Sequence, residues 1–138
     1  MGTFTSPVVR PERCVGLYRL TMAVGAVTVG AGLVQLVAPG FVLRLLDAES
    51  TVATRQLFAI VGMFMAVVGG VLLHGLLRAD QERKVILLWS GVQKVGAATL
   101  VTVAVASHVF SGLGLTVALN DFASSLIIFS YRSKLVSL

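Results

Sequence analysis

Lys94 and Asp121 stand inside apolar runs long enough to cross a bilayer, a place where ionisable residues are costly and rarely accidental. At a rise of about 1.5 Å per residue, Lys94 lies about 14 Å and Asp121 about 15 Å from the same-side ends of the helices that carry them. An unpaired charge at that depth costs at least ~2.5 kcal/mol on insertion scales, so a cation and an anion at equal depth are expected to meet. Gln93 and Asn120, their chain neighbours, can supply further hydrogen bonds. Two kinds of chemistry are open to such a pair. Asp121 can take up and release a proton or cation while Lys94 tunes it or is displaced by substrate, or the two can form an ion lock between helices. The lock is the simpler expectation, because a transport site usually needs further acidic groups and no other falls inside the apolar runs.

The remaining polar side chains offer less. His74 and His108 have the chemistry of haem or metal ligands. However, His74 falls about one turn from one end of its helix and His108 near the opposite surface, and neither has a second histidine at i+3 or i+4. No metal and no cofactor is expected. Arg19, about one turn inside the first helix, either snorkels to the inner interface or meets His74 or a lipid phosphate there. Gln35, Arg55 and Gln56 can gather at the outer mouth of the bundle, as a solvated rim or a seat for an anionic head group. The single cysteine, Cys14, excludes an internal disulfide, a CxxC pair and an all-cysteine metal site, leaving an ordinary thiol or a lipidation point. A Gly-rich phosphate loop, an HExxH, a GxSxG elbow and paired catalytic carboxylates are all missing from the sequence. No catalytic residue is named, and enzymatic activity has little to stand on.

The elements that must position Lys94 and Asp121 follow from composition. With 57% hydrophobic residues, 12% charged residues and a mean hydropathy of +0.94, most of the chain has lipid as its solvent. The charges cluster between apolar runs and mark the ends of spans. An all-α integral membrane protein follows, a four-helix bundle with antiparallel spans at about 15–37, 56–77, 85–108 and 113–131. Residues 1–14 form a short, loosely ordered tail, and 132–138 a second tail. The first apolar run is too long for a cleaved signal segment and is taken as a span. Ala38-Pro39-Gly40 breaks the first helix. After it, Phe41, Leu45 and Leu46 oppose Arg44 and Asp47, which suits a short amphipathic helix lying in the interface. The charged turn RADQERK joins the second and third spans, and Ser111-Gly112-Leu113-Gly114 the third and fourth.

Topology follows from the basic residues. Arg10, Arg13, Arg19, Arg78, Arg83, Lys84, Arg132 and Lys134 fall on one side, and Arg44 and Arg55 on the other, so both termini are expected to be cytoplasmic. Tyr18, Trp89 and Tyr131 fall near that same interface. The net charge of +5 is explained by lipid head groups and this asymmetry, and no nucleic acid partner is expected.

Helices in lipid associate through close contact and polar pairing. Thr21, Gly25, Thr28, Gly32 and Gln35 make a small or polar stripe on the first span, and Arg55, Ala59, Gly62, Ala66 and Gly69 on the second, with Gly70 and His74 beside them. Ser90, Gly91, Lys94, Ala97, Ala98 and Val101 do so on the third, and Gly114, Ala118, Asp121 and Ser125 on the fourth. These are the expected interior faces. Phe64, Leu87, Leu100, Ile127 and Ile128 are expected outside, against lipid or a partner.

The layout resembles the DoxX-like group of small four-helix bacterial membrane proteins. The shared features are Arg19 and Gly25 in the first helix, Pro39-Gly40, an amphipathic connector, and Arg55 and Gly62 opening the second helix. The resemblance implies a bacterial inner membrane and, for some relatives, association with redox complexes, although the chain has no cysteine pair for thiol chemistry. The leading expectation is a non-enzymatic accessory, assembly or self-associating subunit of a membrane complex, with the bilayer and another membrane protein or its own copies as partners. A small proton- or ion-coupled transporter or lipophilic-ligand carrier using Lys94 and Asp121 comes second. A subunit of a quinone-linked redox or lipid-modifying enzyme comes third.

Overall fold

A backbone in hydrocarbon must satisfy its own hydrogen bonds, and a continuous helix is the simplest way for a short apolar run to do so. The computed structural model describes residues 14–78 and 80–137. Residues 1–13, which include the expected N-terminal tail with Arg10 and Arg13, lie outside it. The described chain is all helical: α1 (Val15–Val37), α2 (Pro39–Leu45), α3 (Val52–Leu76), α4 (Asp80–Ala106) and α5 (Gly114–Val136). Apart from α2, each is long and apolar enough to cross a membrane, which makes this a multi-pass membrane protein by length and composition.

The helix ends have local causes. Pro39 and Gly40 do not themselves form the break after α1. Ala38 alone is the hinge, and Pro39 stands in the first turn of α2, where its missing N–H leaves nothing unpaired. Within α2 the buried residue is Leu43, while Phe41 and Leu45 are exposed. Asp47 follows at φ 51°, with the Ala48 N–H reaching Leu43 O at 3.0 Å and the Asp47 N–H reaching Arg44 O at 3.1 Å, a Schellman closure.

α3 starts at Val52, before the expected Gln56, because Thr51 and Thr54 cap each other. The Thr54 N–H bonds Thr51 Oγ1 at 3.1 Å and the Thr51 N–H bonds Thr54 Oγ1 at 2.8 Å. α4 stops at Ala106, two residues before the expected end, where His108 at φ 57° supports a second Schellman closure through Val109 N–H to Ala104 O at 2.9 Å. α5 continues past Tyr131 to Val136. Hydropathy falls at Arg132, but Arg, Ser and Lys are all compatible with helix.

α1 packs chiefly on α3, and α4 chiefly on α5; thinner seams between α1 and α5 and between α3 and α4 join the two pairs. The partners of α1 descend along α3 as α1 ascends: Gly25 lies against Gly69 and Leu73, Gly32 against Gly62 and Ala66, and Gln35 against Phe58. This seam is set by backbone contact. A Cβ on Gly32 would stand 2.6 Å from Gly62 O and Ala66 N, and one on Gly62 would stand 2.6 Å from Leu36 N. The five buried residues of α1 are Thr21, Gly25, Thr28, Gly32 and Gln35, the stripe read from the sequence. On α3, Gly62 and Gly69 are buried, but Arg55 and His74 are exposed and Leu72, Gly75 and Leu76 take the interior places.

The bulky core gathers at one end, where Leu72, Leu76, Leu87, Ile128 and Tyr131 pack with Leu17, Tyr18 and Ile86. Leu87 and Ile128, expected outside, are both 0% exposed. Leu87 sits one and two turns before Gly91 and Lys94, and Ile128 two turns after Asp121, so helical spacing carries both inward. Phe64 and Leu100 are exposed, and Ile127 is half-buried. Trp89 is exposed, but the Tyr131 ring turns inward and meets Tyr18 edge-on with centroids 6.2 Å apart.

Because backbone atoms cannot yield as a side chain can, Gly62→Ala should lower stability by on the order of 1–3 kcal/mol. Gly30→Ala, where a Cβ meets nothing within 4 Å, should be neutral or slightly stabilising. Unfolding of the two variants in detergent, followed by circular dichroism, checks the difference.

Candidate functional site

The facing surfaces of α4 and α5 position the two ionisable residues. Leu87, Gly91, Lys94 and Ala98 share one side of α4, and Gly114, Ala118, Asp121, Ser125 and Ile128 share one side of α5. Gly91 lets the helices close, since a Cβ there would stand 2.6 Å from the Phe129 ring. Further along, Gly114 sits against Val105, and Arg132 Nε donates to Lys84 O at 3.2 Å. Within this seam Lys94 Nζ donates to Asp121 Oδ1 at 2.6 Å, and the two side chains are 4% and 8% exposed. A charge-assisted hydrogen bond of this length neutralises both partners where neither can be hydrated.

Their chain neighbours do not join them. Asn120 is exposed, and Gln93 keeps its Oε1 buried with no hydrogen-bond partner. Consecutive residues on a helix point about 100° apart, so Gln93 and Asn120 cannot share the α4/α5 face with Lys94 and Asp121. Ser90, Ser124 and Ser125 are the polar residues the structure buries on these helices beside the pair. The Ser125 hydroxyl donates to Phe122 O at 2.6 Å, within its own helix.

Arg19 and His74 are both exposed, and His74 Nε2 accepts a hydrogen bond at 2.9 Å from Nε of Arg78, four residues on and just past the end of α3. The expected outer group of Gln35, Arg55 and Gln56 divides in two. Gln35 is buried and its Nε2 donates to Phe58 O at 3.1 Å, a strut from α1 to α3. Arg55 and Gln56 remain together and line an open groove of about 440 Å³ with Leu36, Val37, Pro39, Val52 and Ala59.

Contacts at the end away from the described termini carried no signal in the sequence. The Ser111 N–H donates to Leu46 O at 2.8 Å, and the rings of Phe58 and Phe110 meet edge-on at 6.0 Å, so α2 and α3 touch the α4–α5 turn. His108 is exposed beside that turn. Among the described residues, no three His, Cys, Asp or Glu side chains gather in a way that could hold a metal ion. No family model, characterised protein or solved structure matches the chain.

Breaking the pair from one side leaves a buried charge uncompensated, so Lys94→Met and Asp121→Leu should each destabilise the fold by about 3–5 kcal/mol. The double variant should recover most of that loss. A double-mutant cycle read by unfolding in mild detergent checks the coupling; additive losses would deny it.

Proposed function

We propose that this chain is a non-enzymatic, antiparallel four-helix transmembrane bundle that works by contact, as an accessory or assembly subunit of a membrane complex. The closed Lys94–Asp121 pair carries this reading. Lys94 is spent on Asp121 in a tightly packed seam, which is the behaviour of a structural lock rather than of a site that must open to substrate. The outward faces of all four long helices present large apolar side chains, among them Leu20, Val27, Phe64, Leu100 and Leu119, suited to lipid or to another membrane protein.

The excess of arginine and lysine beside the N-terminal end of α1, the α3–α4 turn and the C-terminal end of α5 supports cytoplasmic termini. The layout resemblance to DoxX-like proteins supports a bacterial inner membrane and a redox complex as the first place to look for a partner. Purification of the tagged, native-level protein in mild detergent, with mass spectrometry of what accompanies it, should return a stoichiometric membrane partner. A clean homo-oligomer would sink the accessory reading.

One observation favours a second reading. Lys94 and Asp121 are an ionisable pair buried within two helices long enough to cross a membrane, and a carrier could shuttle a proton or cation at Asp121 when the pair opens. Under that reading Asp121→Asn abolishes uptake into vesicles while the protein still folds; under the contact reading the same variant changes stability and partner retention together.

A further inference from the structure

We propose that the outer groove beside Arg55 seats one anionic phospholipid from the leaflet opposite the termini. The groove lies where the end of α1, the start of α2 and the first two turns of α3 come together, so its floor is Leu36 and Ala59 and its rim is Arg55 and Gln56. It rests on the transmembrane reading, which puts the end of α1 and the start of α3 at head-group depth.

Arg55 is held in place for such a ligand. Its Nε donates to Thr51 O at 3.3 Å, and its chain lies over Gly40, where a Cβ would stand 3.1 Å from Arg55 Cδ. Thr51 is itself fixed by the capping box that starts α3. The two Nη groups are left for an anion, since neither Asp47 nor Glu49 on the nearby connector pairs with Arg55 among the described residues. A guanidinium oriented through Nε offers its remaining fork to phosphate oxygens, and the Gln56 amide is a second donor at the same rim.

The apolar wall decides the kind of anion. Val37, 81% exposed, lies in the groove slightly inward of Arg55, with Leu36 and Ala59 beyond it. An acyl chain running inward from the phosphate covers this apolar wall, and a free phosphate does not. Charge complementarity at the rim and apolar surface below it are both met by one phospholipid.

The test uses the full chain in vesicles of equal parts phosphatidylglycerol and phosphatidylcholine. After extraction in mild detergent, native mass spectrometry counts the lipid retained. One phosphatidylglycerol should be kept in preference to phosphatidylcholine, and Arg55→Gln should weaken its retention about tenfold or more. Arg55→Lys should fall between, because a lysine keeps the charge and loses the fork.

Val37→Glu, which places a negative charge at the groove on an exposed residue, should release the lipid without touching α3, so a folding defect in the Arg55 variants cannot hide the result. Arg44→Gln, an exposed arginine of α2 outside the groove, should leave retention unchanged. Equal retention in wild type and Arg55→Gln, an equal loss in Arg44→Gln, or displacement of the lipid by millimolar inorganic phosphate would each overturn the proposal. Carbonate washing tests the underlying reading separately: a chain stripped from membranes sinks the transmembrane assignment, whereas a retained chain without lipid preference sinks only the lipid site.

Discussion

Lipid gives helices no hydrophobic reason to associate, so a bundle of this composition depends on how closely its backbones approach and on what polarity it hides between them. The chain meets that constraint in two ways. α1 and α3 touch through glycine, with the Gly32 and Gly62 backbones so near that each excludes any side chain from the other. α4 and α5 enclose opposite charges, with Lys94 on Asp121. Each solution serves one helix pair, and the stripe residues of one would not work in the other. Lys94 needs room for a long side chain, which the Gly32–Gly62 contact does not leave.

The two pairs meet along thinner seams, and their ends differ in character. Near the termini the interior is bulky and apolar, with Leu72, Leu76, Leu87, Ile128 and Tyr131 drawn from three helices and Leu17 and Tyr18 packed on them from the fourth. At the far end the closure is made by connecting segments: α2 packs on α1 and α3, and Leu46, the residue that caps it, accepts the Ser111 N–H of the α4–α5 turn. Asp47 and His108, the two residues of the described chain at positive φ that are not glycine, stand at the turns that make this closure possible. That end is held by this backbone bond together with the buried Leu43 and the Phe58–Phe110 ring contact, and a groove stays open at its edge beside Arg55.

Much of this was legible in the sequence, for reasons that also explain the failures. The α1 stripe could be read residue by residue because small and polar side chains recur there at four-three spacing with no competing face. Lys94 and Asp121 could be paired because equal depth and opposite charge leave few other solutions. For Leu87 and Ile128 size is a false guide to lipid exposure, because their spacing from Gly91 and Asp121 puts them on the interior face. Adjacency in the chain does not bring Gln93 and Asn120 to the pair, because on a helix it separates side chains. Arg55 fits the periodicity of the α3 stripe but stands in its first turn, where the stripe has run out of neighbours to pack against. The contacts between connectors, Leu46 with Ser111 and Phe58 with Phe110, depend on how two distant turns meet in space, and no local pattern encodes that.

The position of the ion pair also says why a buried pair is present at all. Well-packed apolar residues can stabilise an interface as much as a buried ion pair, so stability alone is a weak reason to keep one. Register is a stronger one. Immediately around the pair the α4/α5 seam is lined by Ala98, Ala118 and Ser125, small groups that permit close packing and discriminate poorly between neighbouring alignments. A slip of one helical turn, about 5.4 Å, would carry Lys94 away from Asp121 and leave both charges unpaired in hydrocarbon. Small residues thus make the approach possible, and the ion pair selects which of the possible approaches is the native one.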